Sequence, residues 1–163
     1  MRGLLGLPVL RALGCVGISA KGAIRIQENS RNVKGDPNLF FDDLSLIVEV
    51  SHGGQPLQML LDTGANKGYL YASFRDALEP EERRKVRRAP ETRGGAGGIV
   101  HQMAEIVPSL QLQVAGKVVE LKKISLRQQQ PAETGSYLDG LIARDALMGG
   151  FTLDFRAMQL RLD

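Results

Sequence analysis

The chain has 163 residues, 43% of them hydrophobic, which is enough for one sizeable core and too little for two full-sized domains. Charged residues make up 24%, and 21 Lys and Arg against 18 Asp and Glu leave a formal charge of +3, a mixed surface that argues against intrinsic disorder and against a dedicated nucleic-acid binder. A single cysteine, Cys15, excludes an internal disulfide framework, and two distant histidines, His52 and His101, would leave a zinc site dependent on carboxylates. No apolar run reaches the roughly eighteen residues of a membrane span. Aromatic residues are only 5% with no Trp, while 19 glycines are present, a combination that predicts a strand-and-turn protein.

Met1 to Gly17 carries an early Arg and an apolar stretch like those of a secretory or lipoprotein leader ending at Cys15, but Pro8 and Arg11 interrupt it. An internal repeat explains the segment better. Gly3-Leu4-Leu5-Gly6-Leu7-Pro8-Val9-Leu10 resembles Gly140-Leu141-Ile142-Ala143-Arg144-Asp145-Ala146-Leu147. Each is followed by a short apolar strand and then an alternating one, Ile24-Arg25-Ile26 or Leu160-Arg161-Leu162. Residues 1–26 therefore read as the tail of a preceding, related unit. Gln27 to Asn38 is polar and ends in the breaker Gly35-Asp36-Pro37-Asn38, which predicts a linker before a main domain over 39–163.

In that domain Leu46, Val48 and Val50 alternate, Gly53-Gly54 supplies a turn, and Leu57 to Leu61 returns as a second strand, giving a hairpin aimed at Asp62. Gly68 to Ala72 reads as a short strand and Ser73 to Arg88 as a helical region with Pro80 near a helix start. Its charge run, Glu81 to Arg88, interleaves acids and bases without nearby aromatics and reads as a solvated face. Arg93-Gly94-Gly95-Ala96-Gly97-Gly98 predicts a glycine loop ahead of a strand over Ile99 to Val107. It lacks the Lys-Ser/Thr ending of a phosphate-binding loop. Leu110, Leu112 and Val114, the Ala115-Gly116 turn, and Val119 to Leu126 continue a meander that Gln128 to Pro131 ends. Tyr137 to Ile142 then predicts a strand, Ala143 to Met148 a short helix, and Phe151 to Phe155 with Met158 to Leu162 a closing hairpin.

The sharpest chemical signal is Met59-Leu60-Leu61-Asp62-Thr63-Gly64-Ala65, in which apolar residues deliver a carboxylate into a tight turn, an expensive placement unless compensated. An isolated Asp-x-Gly is often only a turn cap. Here a second element, Leu138-Asp139-Gly140-Leu141-Ile142-Ala143, follows, with Gly140 lying 78 residues beyond Asp62. Together the two resemble the retropepsin-like aspartic peptidases, particularly bacterial single-lobe members, over most of 39–163. Gly150 to Phe155 is similar to the family's carboxyl-terminal strand. Ala143 stands where the family usually has glycine, and Ala65-Asn66 where it more often has Ser or Thr after the small residue.

The resemblance implies a mainly antiparallel all-β fold, a closed retropepsin-like barrel with one short C-terminal helix and a helical insertion after Phe74. It implies an aspartic endopeptidase in which Asp62, Thr63 and Gly64 are catalytic, Ala65 lies beside substrate, and a flap of Gly94, Gly95, Ala96, Gly97, Gly98 and Ile99 covers an extended peptide. One Asp-Thr-Gly is half of a carboxylate pair sharing a proton, so the second lobe would come from a homodimer partner or from sequence upstream. No cofactor, nucleic acid or membrane is implied. The alternative is a catalytically inactive peptidase-like domain that binds peptides or serves assembly. His52 and His101 read as surface residues, Cys15 as an idle thiol, and Asp145 and Asp154 as local turn carboxylates. Asp139, beside the second element, receives no catalytic role.

Overall fold

Pro8 in the first turn and Gly14 at φ 79° bound the first element, α1 (Leu7–Leu13). The computed structural model describes residues 5–27, 35–95, 98–127 and 138–163. After α1 come β1 (Cys15–Ser19), β2 (Ile24–Ile26), β3 (Leu39–Asp42), β4 (Ser45–His52), β5 (Gln55–Leu61) and β6 (Tyr69–Tyr71). A 3-10 turn over Ala72–Asp76 and α2 (Pro80–Lys85) form the helical insertion, followed by β7 (Arg87–Gly95), β8 (Gly98–Val114) and β9 (Lys117–Arg127). The chain closes with β10 (Gly140–Ile142), a 3-10 turn over Arg144–Ala146, β11 (Gly150–Asp154) and β12 (Gln159–Leu162). No described helix is long and apolar enough to cross a membrane.

The all-β expectation holds, but the expected closed barrel is corrected to two sheets. One has the order β12-β11-β1-β2 and the other β3-β4-β5-β10-β6-β9-β8-β7. The larger sheet folds back on itself where β4 meets β8, over just two residue pairs, Val50↔Val114 and Ser51↔Gln113. β3 and β7 continue past that contact as free ends of the strand order.

The hairpin predicted to aim at Asp62 is β4–β5, turning through Gly53 and Gly54 at φ 55° and 82°. Such positive angles match the right-handed twist of a two-residue hairpin and suit glycine. Leu46, Val48 and Val50 of β4 and Leu57, Met59 and Leu61 of β5 face one core, joined by Phe74, Val107, Leu110, Leu112, Ile124 and Ile142. Burying each such side chain contributes about 1.5–3 kcal/mol. A second cluster, Ile47, Tyr71 and Leu138, with Leu60 and Tyr69 partly buried, covers the opposite face.

Three local expectations change. The helical region predicted to Arg88 ends at Lys85, because Val86 turns to an extended conformation and β7 begins. The predicted glycine loop lies instead in a hairpin whose strands β7 and β8 pair from Arg87↔Ile106 to Gly95↔Gly98, and the two strands predicted on either side of Pro108 are one, β8, which runs unbroken for 17 residues. The predicted C-terminal helix is a single 3-10 turn. Ala96, Gly97, Tyr137, Gln128 to Pro131 and most of the predicted linker lie outside the described residues.

Candidate active site

β5 alternates inward to Leu61 and then releases the chain into a turn, so that Asp62 is exposed while Leu57, Met59 and Leu61 behind it are buried. The Asp62 amide donates to the Ile142 carbonyl at 3.0 Å, continuing the parallel β5–β10 ladder by one bond. Its Oδ1 accepts from the amides of Gly64 at 2.9 Å and Ala65 at 3.2 Å. These two donors supply the compensation expected from the sequence, and they fix the carboxylate in the turn. The Arg144 amide donates to the Ala65 carbonyl at 3.1 Å, tying the far side of the turn to the 3-10 turn after β10.

Close approach of three backbones makes this arrangement. β10 lies between β5, parallel to it, and β6, antiparallel to it. A Cβ at Gly140 would collide with the Tyr69 carbonyl and sit 2.9 Å from the Met59 methyl, and one at Gly68 would lie 2.6 Å from the Leu141 carbonyl. Ala143, by contrast, is buried in an extended conformation and accommodates its methyl.

Two carboxylates brace the site from behind. Asp139 Oδ2 accepts from the Gln58 amide at 2.9 Å, its own amide donates to the Gln58 carbonyl, and its carbonyl accepts from Tyr71. Burial raises the Asp139 carboxyl above the usual carboxylate range, and the Gln58 amide offsets part of that rise. Asp145, expected to be a local turn residue, instead accepts from the Gly68 amide at 3.1 Å and 3.2 Å, a link between elements far apart in sequence. Nothing in the local pattern marks that partner. Asp154 is the local turn carboxylate expected, accepting from the amides of Arg156 and Ala157.

The sequence-predicted residues fall into two groups. Asp62, Thr63, Gly64 and Ala65 share one turn, while Gly94, Gly95, Gly98 and Ile99 form the tip of the β7–β8 hairpin. Among the described residues no hydrogen bond joins tip to turn. The tip exposes apolar side chains, with Ile99 70% and Val100 56% accessible. The hairpin is anchored at its middle by Glu91, which meets Arg93 at 2.7 Å. Burial pushes the Glu91 carboxyl up, but hydrogen bonds from Ser125, Arg93 and Gln102 outweigh it and leave the group below its ordinary value.

The Thr63 hydroxyl has no side-chain partner among the described residues. Thr63 instead lines a groove with Arg144, Met148, Ser19, Ala20 and Gly22, so the β1–β2 turn is a wall of the site's surroundings. A larger cavity, about 530 Å³, lies elsewhere, beside His52, Glu82 and Gln111. His52 corrects the surface expectation: it is buried, with Nδ1 2.8 Å from the Gln111 carbonyl and Nε2 2.8 Å from Glu82, which also caps α2. This is a structural clamp between hairpin and helix. His101 is exposed, as expected, beside Thr92. Cys15 is fully buried, and burial, reinforced by Asp154, raises its thiol above the ordinary range, so it stays protonated and inert. Among the described residues no group of three or more His, Cys, Asp or Glu is arranged to hold a metal ion.

No family model and no curated protein matches the chain. A solved structure from Legionella pneumophila, described as a protein of unknown function (DUF785), aligns with a TM-score of 0.37 and 17% identity over 63% of this chain and 84% of that one.

Proposed function

We propose that the chain is one lobe of an aspartic endopeptidase of retropepsin type. The carrying observation is the Asp62 carboxylate itself, exposed at the end of β5, held by the Gly64 and Ala65 amides, and braced by β10 on the parallel side. A pinned, solvent-facing carboxylate is poised to act as a general base on water, provided that a second carboxyl group shares its proton and polarises the scissile carbonyl. That second group belongs to another lobe, supplied by a homodimer partner or by sequence upstream. The two carboxyls exchange roles as the tetrahedral intermediate forms and collapses: one takes the proton from water, and the other hydrogen-bonds the developing oxyanion. The Thr63 hydroxyl reaches across to the facing turn, and Gly64 leaves room beside the carboxylate for substrate. The described residues of the β7–β8 tip, Gly94, Gly95, Gly98 and Ile99, cover an extended peptide that adds its main chain as a strand does.

The test is cleavage of an unfolded protein from pH 3 to 7 by the assembly that holds both lobes, with Asp62 intact or carrying Asp62→Asn. Acid-favoured cleavage that falls about 10³-fold or more in Asp62→Asn is the expected result. Cleavage that Asp62→Asn leaves intact sinks the reading. A complete two-lobed assembly that folds and binds peptide without cleaving it would identify the inactive peptide-binding alternative.

A further inference from the structure

The four-stranded sheet repeats itself about its centre. β1 and β11 pair antiparallel from Cys15↔Asp154 to Ser19↔Gly150, centred on Gly17↔Thr152. On one side Val16, Gly17 and Ile18 pair with Ile26, Arg25 and Ile24. On the other, Phe151, Thr152 and Leu153 pair with Leu162, Arg161 and Leu160. Each hairpin closes with the same bond, Gln27 amide to Cys15 carbonyl and Asp163 amide to Gly150 carbonyl. Each is preceded by a helical turn and by the matching segments Gly3 to Leu10 and Gly140 to Leu147. Residues 15–27 and 150–163 are thus the same hairpin, related by a two-fold axis through Gly17 and Thr152, and the segment before each is an α-helix in one copy and a 3-10 turn in the other.

The two copies differ in what covers them. Ile142, Ala146 and Leu160 are 0%, 5% and 1% exposed, packed by the lobe that carries Asp62, whereas their counterparts Leu5, Val9 and Ile24 are 53%, 47% and 51% exposed. Ile26 is bare as well, at 56%. Three aliphatic side chains whose counterparts are buried, with Ile26 beside Ile24 where its counterpart Leu162 is partly buried, mark a missing neighbour, not ordinary surface scatter.

We infer that residues 5–27 are the closing element of a second lobe of this same fold, which packs on Leu5, Val9, Ile24 and Ile26 and whose own strands lead into Leu5. A second copy of this chain does not fit there, because it would bring its own residues 140–163 and the place beside β11 is taken by β1. The two-fold axis of an antiparallel pair stands perpendicular to the sheet, so the second lobe's counterpart of the Asp62 turn lies on the same side as Asp62. That the two turns form a catalytic pair rests on the peptidase reading; the packing of the lobes does not.

Two measurements test this. The first uses the chain as it stands, carrying Val9→Cys or Ile24→Cys with Cys15→Ser. Sedimentation is expected to give a monomer at every concentration, and the new thiols are expected to react at the rate of exposed cysteine. A dimer that protects them and cleaves with faster-than-linear concentration dependence would overturn the inference in favour of a second copy, leaving the peptidase reading intact. The second places residues 35–139 of another copy directly ahead of Gly3, so that both lobes lie on one chain. The expected outcome is at least 100-fold slower labelling of the same thiols, with acid-favoured cleavage linear in concentration and lost on Asp62→Asn in either lobe. Protection without cleavage supports the lobe packing and overturns the peptidase reading. A folded tandem with unprotected thiols overturns the inference.

Discussion

Gly140 and Asp139 show how little room the site leaves for single substitutions. Because a Cβ at Gly140 would strike the Tyr69 carbonyl, backbone rather than a flexible side chain, Gly140→Ala has nowhere to relax without parting β10 from β6. A loss of about 3 kcal/mol or more is expected in urea unfolding, at the upper end of overpacking effects. At Asp139 the effect runs with pH. Its carboxyl is raised in the folded protein, so the charged form is penalised on folding above that raised value. The penalty disappears as pH falls through the folded value to the unfolded one. Asp139→Asn keeps an oxygen to accept from the Gln58 amide and removes the buried charge, so it should be more stable than wild type at pH 7 and equal to it at pH 3. Thermal melts at the two pH values check this; equal stabilisation at both would locate the effect in packing instead.

At the level of elements, the β7–β8 hairpin is held at its middle by Glu91, whose carboxyl lies below its ordinary value through Ser125, Arg93 and Gln102. A lowered acid contributes stability that is complete above its unfolded value and is lost as pH falls through its folded value. Hydrogen-exchange protection of the β7 and β8 amides should therefore fall as pH drops below the ordinary glutamate range, ahead of global unfolding, and Glu91→Gln should remove that dependence. The β8–β9 turn offers a gain instead. Ala115 sits at φ 50° beside Gly116 at φ 77°, a turn that favours Asn-Gly. Ala115→Asn should add about 0.5–1 kcal/mol to stability by chemical denaturation. Period-two patterning made β4, β5, β9 and the closing hairpin legible in the sequence, and the Asp-Thr-Gly turn with them. Over Arg87 to Gly95 the hairpin has no fully buried face to impose alternation, so the sequence there shows only charge and glycine content, which point to helix and loop. His52 and Asp145 were illegible for another reason. Their partners, Gln111, Glu82 and Gly68, are set by tertiary packing, which no local pattern records.

Over the whole molecule, the repeat between the two chain ends was readable because the same residues pack the same way, while the single pairing of β4 with β8 had no sequence mark. The strand pairing that joins the ends is β1 against β11, and a lock across its centre tests whether that pair forms within one chain. Gly17 has an ordinary backbone conformation, and a Cβ there would meet the Thr152 hydroxyl oxygen at 3.5 Å, a normal contact, so both positions accept cysteine. In a Cys15→Ser background, Gly17→Cys with Thr152→Cys should form a bridge within each chain, seen as a monomer on non-reducing gels. Because it closes a loop of well over 100 residues, it should stabilise the fold by about 2–4 kcal/mol over its reduced form. Chains bridged in pairs would show instead that β1 crosses to a neighbour. An intrachain bridge that fails to raise stability would show that β1–β11 pairing survives in the denatured ensemble or is strained by the lock.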